Sequence, residues 1–465
     1  MIVARAWAGR RYAVLGLARS GAAAARALVA GGAGVVAWDE DGERRGALAP
    51  LLQGKGWGGE RSQPSGFSGA NSATAFPFPN PSPEGEGLTI VDLDTVDLAG
   101  FDALVVSPGV PLNTHPLVAK ARAAGVPVIG DIELFAQGRP DLPAHRLVGI
   151  TGTNGKSTTT ALVHHILATA GVPTLMGGNI GLPILGGEPL PEGGVYVLEL
   201  SSYQIDLTTS LDCEVAVLLN VTPDHLDRYD GFEAYAVSKA RLFAMQSPDH
   251  EAVIGIGDAA SANIARSLSA RGERLTKIAP GTCMDQSRWP ALQGPHNAQN
   301  ALAAIAVARA LGVREEDITR GLETFAGLPH RMERVAERNG ILFVNDSKAT
   351  NAESAAPALG SFDRVHWILG GRAKSDDLDA CRPRFDRVAR AYTIGEAGPC
   401  FAALLRAAGV AVEEAETLPR AVEAAARAAR PGEAVLLSPA AASFDQFRDF
   451  EERGDVFRAC VGEVA

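Results

Sequence analysis

The chain has 465 residues, of which 46% are hydrophobic and 21% charged, and a formal net charge of −11. That length exceeds a single hydrophobic core and implies several domains, while the negative charge excludes a protein that coats nucleic acid or clings to acidic membrane surfaces. Five cysteines (Cys213, Cys283, Cys381, Cys400 and Cys460) are odd in number and never spaced as C-x-x-C, which excludes a disulfide framework and a thiolate zinc site and points to a reducing cytoplasm.

The first apolar patch, Tyr12 to Ala18, is cut short by Arg19. It reads as a strand and not as a secretion signal, and no apolar run in the chain approaches the ~20 residues of a membrane span. A glycine turn (Gly16 to Gly21), an alanine-rich helix to Ala30 and a second strand, Val35 to Asp39, follow. Strand, turn, helix, strand and terminal acid make the plan of a Rossmann-type nucleotide half, although G-x-G-x-x-G is absent. Residues 54–87 are rich in Gly, Ser, Pro and Asn and nearly free of aliphatic side chains. Such a composition buries too little surface to order itself, so this insertion is expected to remain unordered and without a catalytic part. Phe101 to Val106 is a strand leading into Ser107-Pro108-Gly109, a turn at the place where α/β sheets bind ligands. A helix over Ala119–Ala124, a strand over Val126–Ile129 and a helix from Gly130 precede Gly138-Arg139-Pro140-Asp141-Leu142-Pro143, which has the punctuation of a linker.

Leu147 to Leu167 then carries the strongest signal in the chain. A buried strand runs into Gly152-Thr153-Asn154-Gly155-Lys156-Ser157 and on into a helix starting near Thr158. Glycines at a strand-to-helix turn let backbone N–H groups converge on phosphate oxygens, Lys156 supplies a point charge and Ser157 a hydroxyl for Mg²⁺. Ile150 stands where the strict P-loop pattern has its first glycine. Gly177 to Gly181 reads as a turn. Two strands follow, Val195 to Leu200 with Glu199 near its end and Val215 to Asn220 leading to Asp224 and His225. An acid and a histidine at strand ends beside a phosphate loop form a plausible Mg²⁺ site. Helix 231–245 sets Lys239 on one face with Tyr235 and Phe243, and Gly327 to Arg331 reads as a second junction. The last third holds four strands, each ending in a loop of small and polar residues: Asp346 to Asn351, Gly370 to Ser375, Gly395-Glu396 and Ser438 to Asp445. They predict another open parallel sheet.

As a whole the chain resembles the Mur ligases, ATP-dependent enzymes that form amide bonds in peptidoglycan synthesis. The resemblance rests on Gly152 to Ser157, Leu198 to Ser202, Asn220 to His225, His296 to Ala301, Asn345 to Asn351 and Leu437 to Phe447. It implies an α/β enzyme of three domains: a Rossmann-like UDP-binding domain over residues 1–137, a central P-loop ATPase domain over 138–327 and a Rossmann-like amino-acid domain over 328–465, hinged near Gly138 and Gly327. By motif position Arg19, Ser20, Asp39, Glu40, Ser107, Pro108 and Gly109 would face the uridine nucleotide. Asn179, Ser201 and His225 would face its muramoyl-alanine part. Asn300, Arg331 and Asp346 would join the loop Gly152 to Thr158 around ATP. Thr350, Lys374, Ser443 and Phe450 would hold glutamate, with Lys348 near the reacting groups. Ser157, Glu199, His225 and a carbamylated Lys239 would hold two Mg²⁺ ions. The implied reaction adds D-glutamate to UDP-N-acetylmuramoyl-L-alanine through an acyl phosphate, in a cytoplasmic monomer whose partners are small molecules. Lys156, His225, Lys239 and Lys348 would carry its chemistry. Three rivals have a weaker basis. A folylpolyglutamate-type ligase leaves the first domain unexplained, a nucleotide switch lacks the guanine-reading N-K-x-D, and a dehydrogenase fails on the glycine pattern.

Overall fold

The computed structural model describes residues 1–48, 87–225, 228–272, 274–279, 285–373, 375 and 377–464. Lys374, Cys283 and residues 54–86 of the expected insertion lie outside these. Strands β1 (Arg11–Leu15), β2 (Gly34–Trp38), β3 (Leu88–Ile90), β4 (Ala103–Val106) and β5 (Val128–Ile129) form a parallel sheet in the order β3-β2-β1-β4-β5. The strand order reverses between β1 and β4, so the loops after those two strands flank the crevice in which such sheets take ligands. Helix Arg19–Ala30 buries Ala23, Ala24, Ala25, Ala27 and Leu28, and these small side chains let it lie close to the sheet. Helix Pro116–Ala123 begins earlier than expected because the His115 imidazole accepts from Leu117 N (3.2 Å) and a proline opens the first turn.

The second sheet contains β6 (His145–Thr151), β7 (Thr174–Gly178), β8 (Gly194–Glu199), β9 (Val215–Leu218), β10 (Glu251–Gly255) and β11 (Arg274–Ile278), ordered β11-β10-β9-β6-β8-β7. Central β6 pairs in parallel with both β8 and β9. The loops following these three strands therefore open side by side at one end of the sheet. Two expectations change here. Gly177 and Gly178 belong to the end of β7 and not to a turn. The stretch 138–143 is no loose linker either: Gly138 closes helix Asp131–Gly138, Arg139–Asp141 makes a single 3-10 turn, and Arg139 pairs with Glu214 at 3.0 Å. Glycine and proline serve a tight turn as well as a flexible joint, and only the ion pair decides between them.

The third sheet joins β12 (Glu333–Arg338), β13 (Ile341–Asn345), β14 (Val365–Gly370), β15 (Val388–Ile394), β16 (Val412–Glu416) and β17 (Ala434–Leu437) in the order β12-β13-β17-β14-β15-β16. It has six strands where four were expected, and β12 runs antiparallel to β13. Both extra strands are charge-rich edges with half-exposed side chains, a composition that guards an edge and hides it from a hydrophobicity reading. Trp367 and Phe401 pack on one face of this sheet, Tyr392 and Phe457 on the other.

The described chain divides into two compact units. Residues 1–160 and 171–277 make the first, with the first two sheets, and residues 161–170 and 278–465 make the second, with the third sheet. In the first unit one apolar core runs from Ala4 and Trp7 through Phe135 and Tyr196 to Tyr235 and Phe243. Among the described residues no helix is long and apolar enough to cross a membrane.

Candidate active site

The loop after β6 is built from its own backbone and clamped by its neighbour. Gly155 adopts φ +86°, the left-handed turn that brings the chain into helix Lys156–Thr169. Asn220, just beyond β9, holds the loop from the side: its Oδ1 accepts from Asn154 N (2.9 Å), its Nδ2 donates to Asn154 O (3.1 Å), and its backbone O accepts from Thr153 N (2.9 Å). Lys156 Nζ donates to the loop carbonyls of Gly152 (3.0 Å) and Thr153 (2.8 Å). The helix dipole and the loop N–H groups make this turn an anion site.

Two hard oxygen donors meet beside it. Ser157 Oγ donates to Glu199 Oε2 at 2.5 Å, and the other carboxylate oxygen accepts from Asn179 Nδ2 at 3.0 Å. Ser157 and Glu199 are only 3% and 2% exposed. A hydroxyl and a carboxylate in contact suit Mg²⁺, which takes oxygen ligands. Gly178, with φ +88°, allows the Glu199 backbone to approach: a Cβ there would stand 2.1 Å from Glu199 O. Lys239 is 1% exposed on helix Phe232–Ala244, and its Nζ donates to Gly152 O at 2.9 Å. Two amines therefore converge on one carbonyl. Burial, then the charge of Lys156, hold the Lys239 pKa well below the ordinary lysine value. Such an amine spends more of its time neutral, the form that takes up carbon dioxide. His225, at φ +54°, packs on the Tyr203 ring (5.0 Å between centroids) and approaches the Tyr235 ring (6.3 Å). Lys239 Nζ lies 4.7 Å from that same Tyr235 ring. The expected loop, acid, histidine and lysine thus share one end of the second sheet.

At the mouth of the first sheet, Asp39 is buried, and its carboxylate accepts from Leu17 N (2.6 Å) and Asp41 N (2.9 Å). Burial raises its pKa, but these N–H groups and Arg44 outweigh that and leave it below the ordinary aspartate value. Ser107 Oγ donates to Gly16 O at 3.0 Å and so joins the two loops at the switch point. Arg19 and Ser20 open the helix beside them, and Glu40, Pro108 and Gly109 line the loops. The Ser201 hydroxyl accepts from Gln204 N in a capping box that starts helix Ser202–Asp206.

In the second unit, Asn300 is buried on helix Pro295–Ala310 and donates to Asn297 Oδ1 (3.1 Å). Asp346 closes β13: it accepts from Met332 N (3.1 Å) and Ser438 Oγ (2.8 Å), and burial raises its pKa to about 7 although Arg331 opposes this. Lys348 Nζ lies 3.9 Å from the centre of the Phe450 ring, which meets His330 edge-on. Thr350 precedes helix Ala352–Leu359, and Ser443 is buried in the loop after β17. Lys374 is outside the described residues. Fully buried Arg453 binds the loops together, donating to Ser347 O (2.8 Å), Ala441 O (3.1 Å), Gly370 O (3.4 Å) and Ser347 Oγ (3.0 Å).

Residues 150–285 match the family model for the Mur ligase middle domain, and residues 330–441 the one for the Mur ligase, glutamate ligase domain. The chain is 59% identical over 463 residues to the UDP-N-acetylmuramoylalanine–D-glutamate ligase of Novosphingobium aromaticivorans, covering 99% of this chain and 96% of that one. The chain belongs to the Mur ligase family. The enzyme of the same name from Zymomonas mobilis is 52% identical, with 99% of each chain covered. Among solved structures, UDP-N-acetylmuramate-alanine ligase MurC from Thermotoga maritima shares the fold at 16% identity with a TM-score of 0.56, covering 98% of this chain and 100% of that one. MurF ligase from the same organism, in complex with ADP, has a TM-score of 0.55 at 15% identity and covers 79% and 90% of the two chains.

For this Mur ligase, motif reading missed the residues that brace the loop from outside. Thr153 Oγ1 lies 3.2 Å from Tyr235 OH and accepts from Thr222 N (3.0 Å). Tyr229 OH donates to Asp206 Oδ2, and Ser238 Oγ to Asp206 Oδ1, both at 2.7 Å. Helical spacing places Tyr235 on the face of Lys239 but does not reveal its contact with Thr153. Nothing in the sequence marks Asp206.

Proposed function

We infer that this chain is an ATP-dependent ligase that joins D-glutamate to UDP-N-acetylmuramoyl-L-alanine in peptidoglycan precursor synthesis. The convergence of Lys156 and Lys239 on Gly152 O, beside the Ser157–Glu199 pair, is the observation that carries this reading. It combines a phosphate cradle, hard oxygen donors and a low-pKa amine at the end of one sheet.

A carboxylate is a poor acyl donor, so the alanine carboxylate first attacks the γ-phosphorus of ATP. An oxygen–phosphorus bond forms, the bond to ADP breaks, and an acyl phosphate results. Phosphoryl transfer asks for alignment and charge neutralisation more than for covalent help. The loop N–H groups and Lys156 hold the transferring phosphate, and Asn220 keeps the loop in register. The neutral amine of glutamate then attacks the acyl carbon, loses its proton, and the tetrahedral intermediate expels phosphate. Mg²⁺ suits Ser157, Glu199, His225 and a carbamylated Lys239, and when bound it supplies further neutralisation of phosphate charge. Asp39, Ser107 and the loops they fasten receive the uridine nucleotide, and Asn179, Ser201 and His225 serve its muramoyl-alanine end. Asn300, Arg331 and Asp346 serve the nucleoside of ATP. Thr350, Lys374, Ser443 and Phe450 serve glutamate, with Lys348 beside the reacting groups. A hinge near Gly327 sets off the domain over 328–465 from the domains over 1–137 and 138–327. The enzyme acts on small molecules as a cytoplasmic monomer, in keeping with its scattered cysteines and negative charge.

Phosphate release with UDP-N-acetylmuramoyl-L-alanine, ATP and either D- or L-glutamate tests the proposal. Turnover is expected with the D isomer only, and Lys156→Ala should lose at least about 100-fold in kcat, the scale of a lost charge-stabilising donor. Equal turnover in that variant, or with L-glutamate, overturns the reading.

A further inference from the structure

Arg228 holds none of the positions assigned above, yet it spans two of them. From the turn beyond β9 its guanidinium reaches the loop after β4, where Nη2 donates to Gly109 O (2.7 Å) and Nη1 to Val110 O (3.2 Å). The same planar group covers the Tyr203 ring at 4.2 Å. Tyr203 in turn packs on His225, and Tyr229 stacks on the other side of the cluster with ring centroids 6.3 Å from Tyr203. On the main chain, Arg228 N donates to His225 O at 2.9 Å. One residue therefore closes the turn that carries His225 and grips the carbonyls of the first-sheet loop.

The Gly109 and Val110 carbonyls are at the exposed tip of that loop. Gly109 is exposed, and a Cβ on it would meet nothing within 4 Å. Ser107 Oγ on Gly16 O, Ser107 N on Leu15 O (3.2 Å) and Val110 N on Ser107 O anchor its start. Two carbonyls side by side ask for a forked donor, and arginine presents one in fixed geometry, whereas lysine offers a single point charge on a flexible stem. Stacking on Tyr203 holds the fork flat and costs no further side-chain freedom when substrate arrives.

We infer that Arg228 is a positioning residue that ties the loop assigned to the uridine nucleotide to the turn carrying His225, so that the substrate's nucleotide end and its reacting end are held in one frame. The identity of that substrate rests on the function proposed above. Arg228 touches no reacting atom. It works by keeping Ser107, Pro108 and Gly109 in place before the substrate binds, and by holding His225 at a set distance from them.

The test compares wild type, Arg228→Lys and Arg228→Met by calorimetric titration with UDP-N-acetylmuramoyl-L-alanine, and separately with a non-hydrolysable ATP analogue and Mg²⁺. Loss of two charge-assisted bonds to one loop should weaken sugar-nucleotide binding about 10-fold in Arg228→Met and roughly 3-fold in Arg228→Lys, with analogue binding within about twofold of wild type. Steady-state rates should show the same split, with KM for the sugar nucleotide raised, KM for ATP unchanged and kcat lowered. Sugar-nucleotide binding within about twofold of wild type in Arg228→Met overturns the inference, and so does an equal weakening of both ligands. If Arg228→Met does not fold, Arg228→Lys decides by the same split, since it keeps the charge and the stem. The titrations need no turnover. A chain that fails to use D-glutamate while showing this split would lose the ligase reading and keep Arg228 in its role.

Discussion

Replacing Gly178 with alanine tests how the end of β7 holds the acid of the site. Residue 178 has φ +88°, and an L side chain in that region costs about 1–2 kcal/mol. The added Cβ would stand 2.1 Å from Glu199 O and 3.1 Å from Glu199 C and N. These are main-chain atoms of a buried strand, so no rotamer change relieves the overlap, and overpacking of this kind costs about 1–3 kcal/mol more. Together the two effects amount to roughly 2–5 kcal/mol, which lowers Tm by roughly 4–9 °C for a body of roughly 270 residues. The strand must also move, taking with it the Glu199 carboxylate that meets Ser157 and Asn179. A displacement of about 1 Å there costs on the order of 100-fold in kcat. Gly171 provides the control, because its φ of +75° is similar but a Cβ would meet nothing within 4 Å. Gly171→Ala should lose only the backbone cost of about 1–2 kcal/mol and keep its activity. Differential scanning calorimetry and phosphate release measure the pair. Equal losses of Tm with kcat unchanged in both variants would refute the wedge argument.

Lys239→Ala should lose at least about 100-fold in phosphate release and recover part of it when short carboxylates are added. Wild-type turnover without rescue removes the carbamate from the site. Lys239→Met addresses the same amine through stability. Burial lowers the folded-state pKa of Lys239, so between that value and about 10.4 the unfolded chain binds more protons. Wild-type stability should therefore gain on the variant as pH rises toward 10, and urea-unfolding midpoints whose difference stays constant up to pH 10 would contradict this. Asp346 has the opposite sign. Its pKa rises from 3.8 to about 7 on folding, so its contribution is full below pH ~4 and lost as pH climbs through ~7, on the order of 4 kcal/mol in all. Asp346→Asn should flatten that decline in denaturant titrations across the same window, and an unchanged slope would show that Asp346 does not titrate there.

How much of this is legible in the sequence depends on the kind of signal. Leu147 to Ser157 announces a strand, a phosphate turn and a helix in one continuous stretch, because hydrophobic run, glycine and lysine all fall within one local unit. The same holds for Glu199 and His225, each placed by the strand before it. Strands β12 and β16 escape, since an edge with one wet face reads as charge and not as periodicity. Lys239 shares a helix face with Tyr235 and Phe243 but takes on a role at the site only through family likeness, and the structure buries it. Arg139 against Glu214 and Arg228 against Gly109 are long-range pairings, which no local spacing encodes.

Arg453 carries a consequence of its own. Its hydrogen bonds go to three carbonyls and a hydroxyl, and no carboxylate among the described residues is bonded to it. Burial lowers its pKa, but only to about 10, so it stays cationic at neutral pH. The carboxyl end of the third sheet thus has a buried positive charge, which the nearby Asp445 carboxylate offsets only from a distance. Because that charge is buried, salt screens it far less than it screens surface lysines. An amino acid with a second carboxylate would be drawn to that end of the domain even at high ionic strength, and one of the same size without it would gain less.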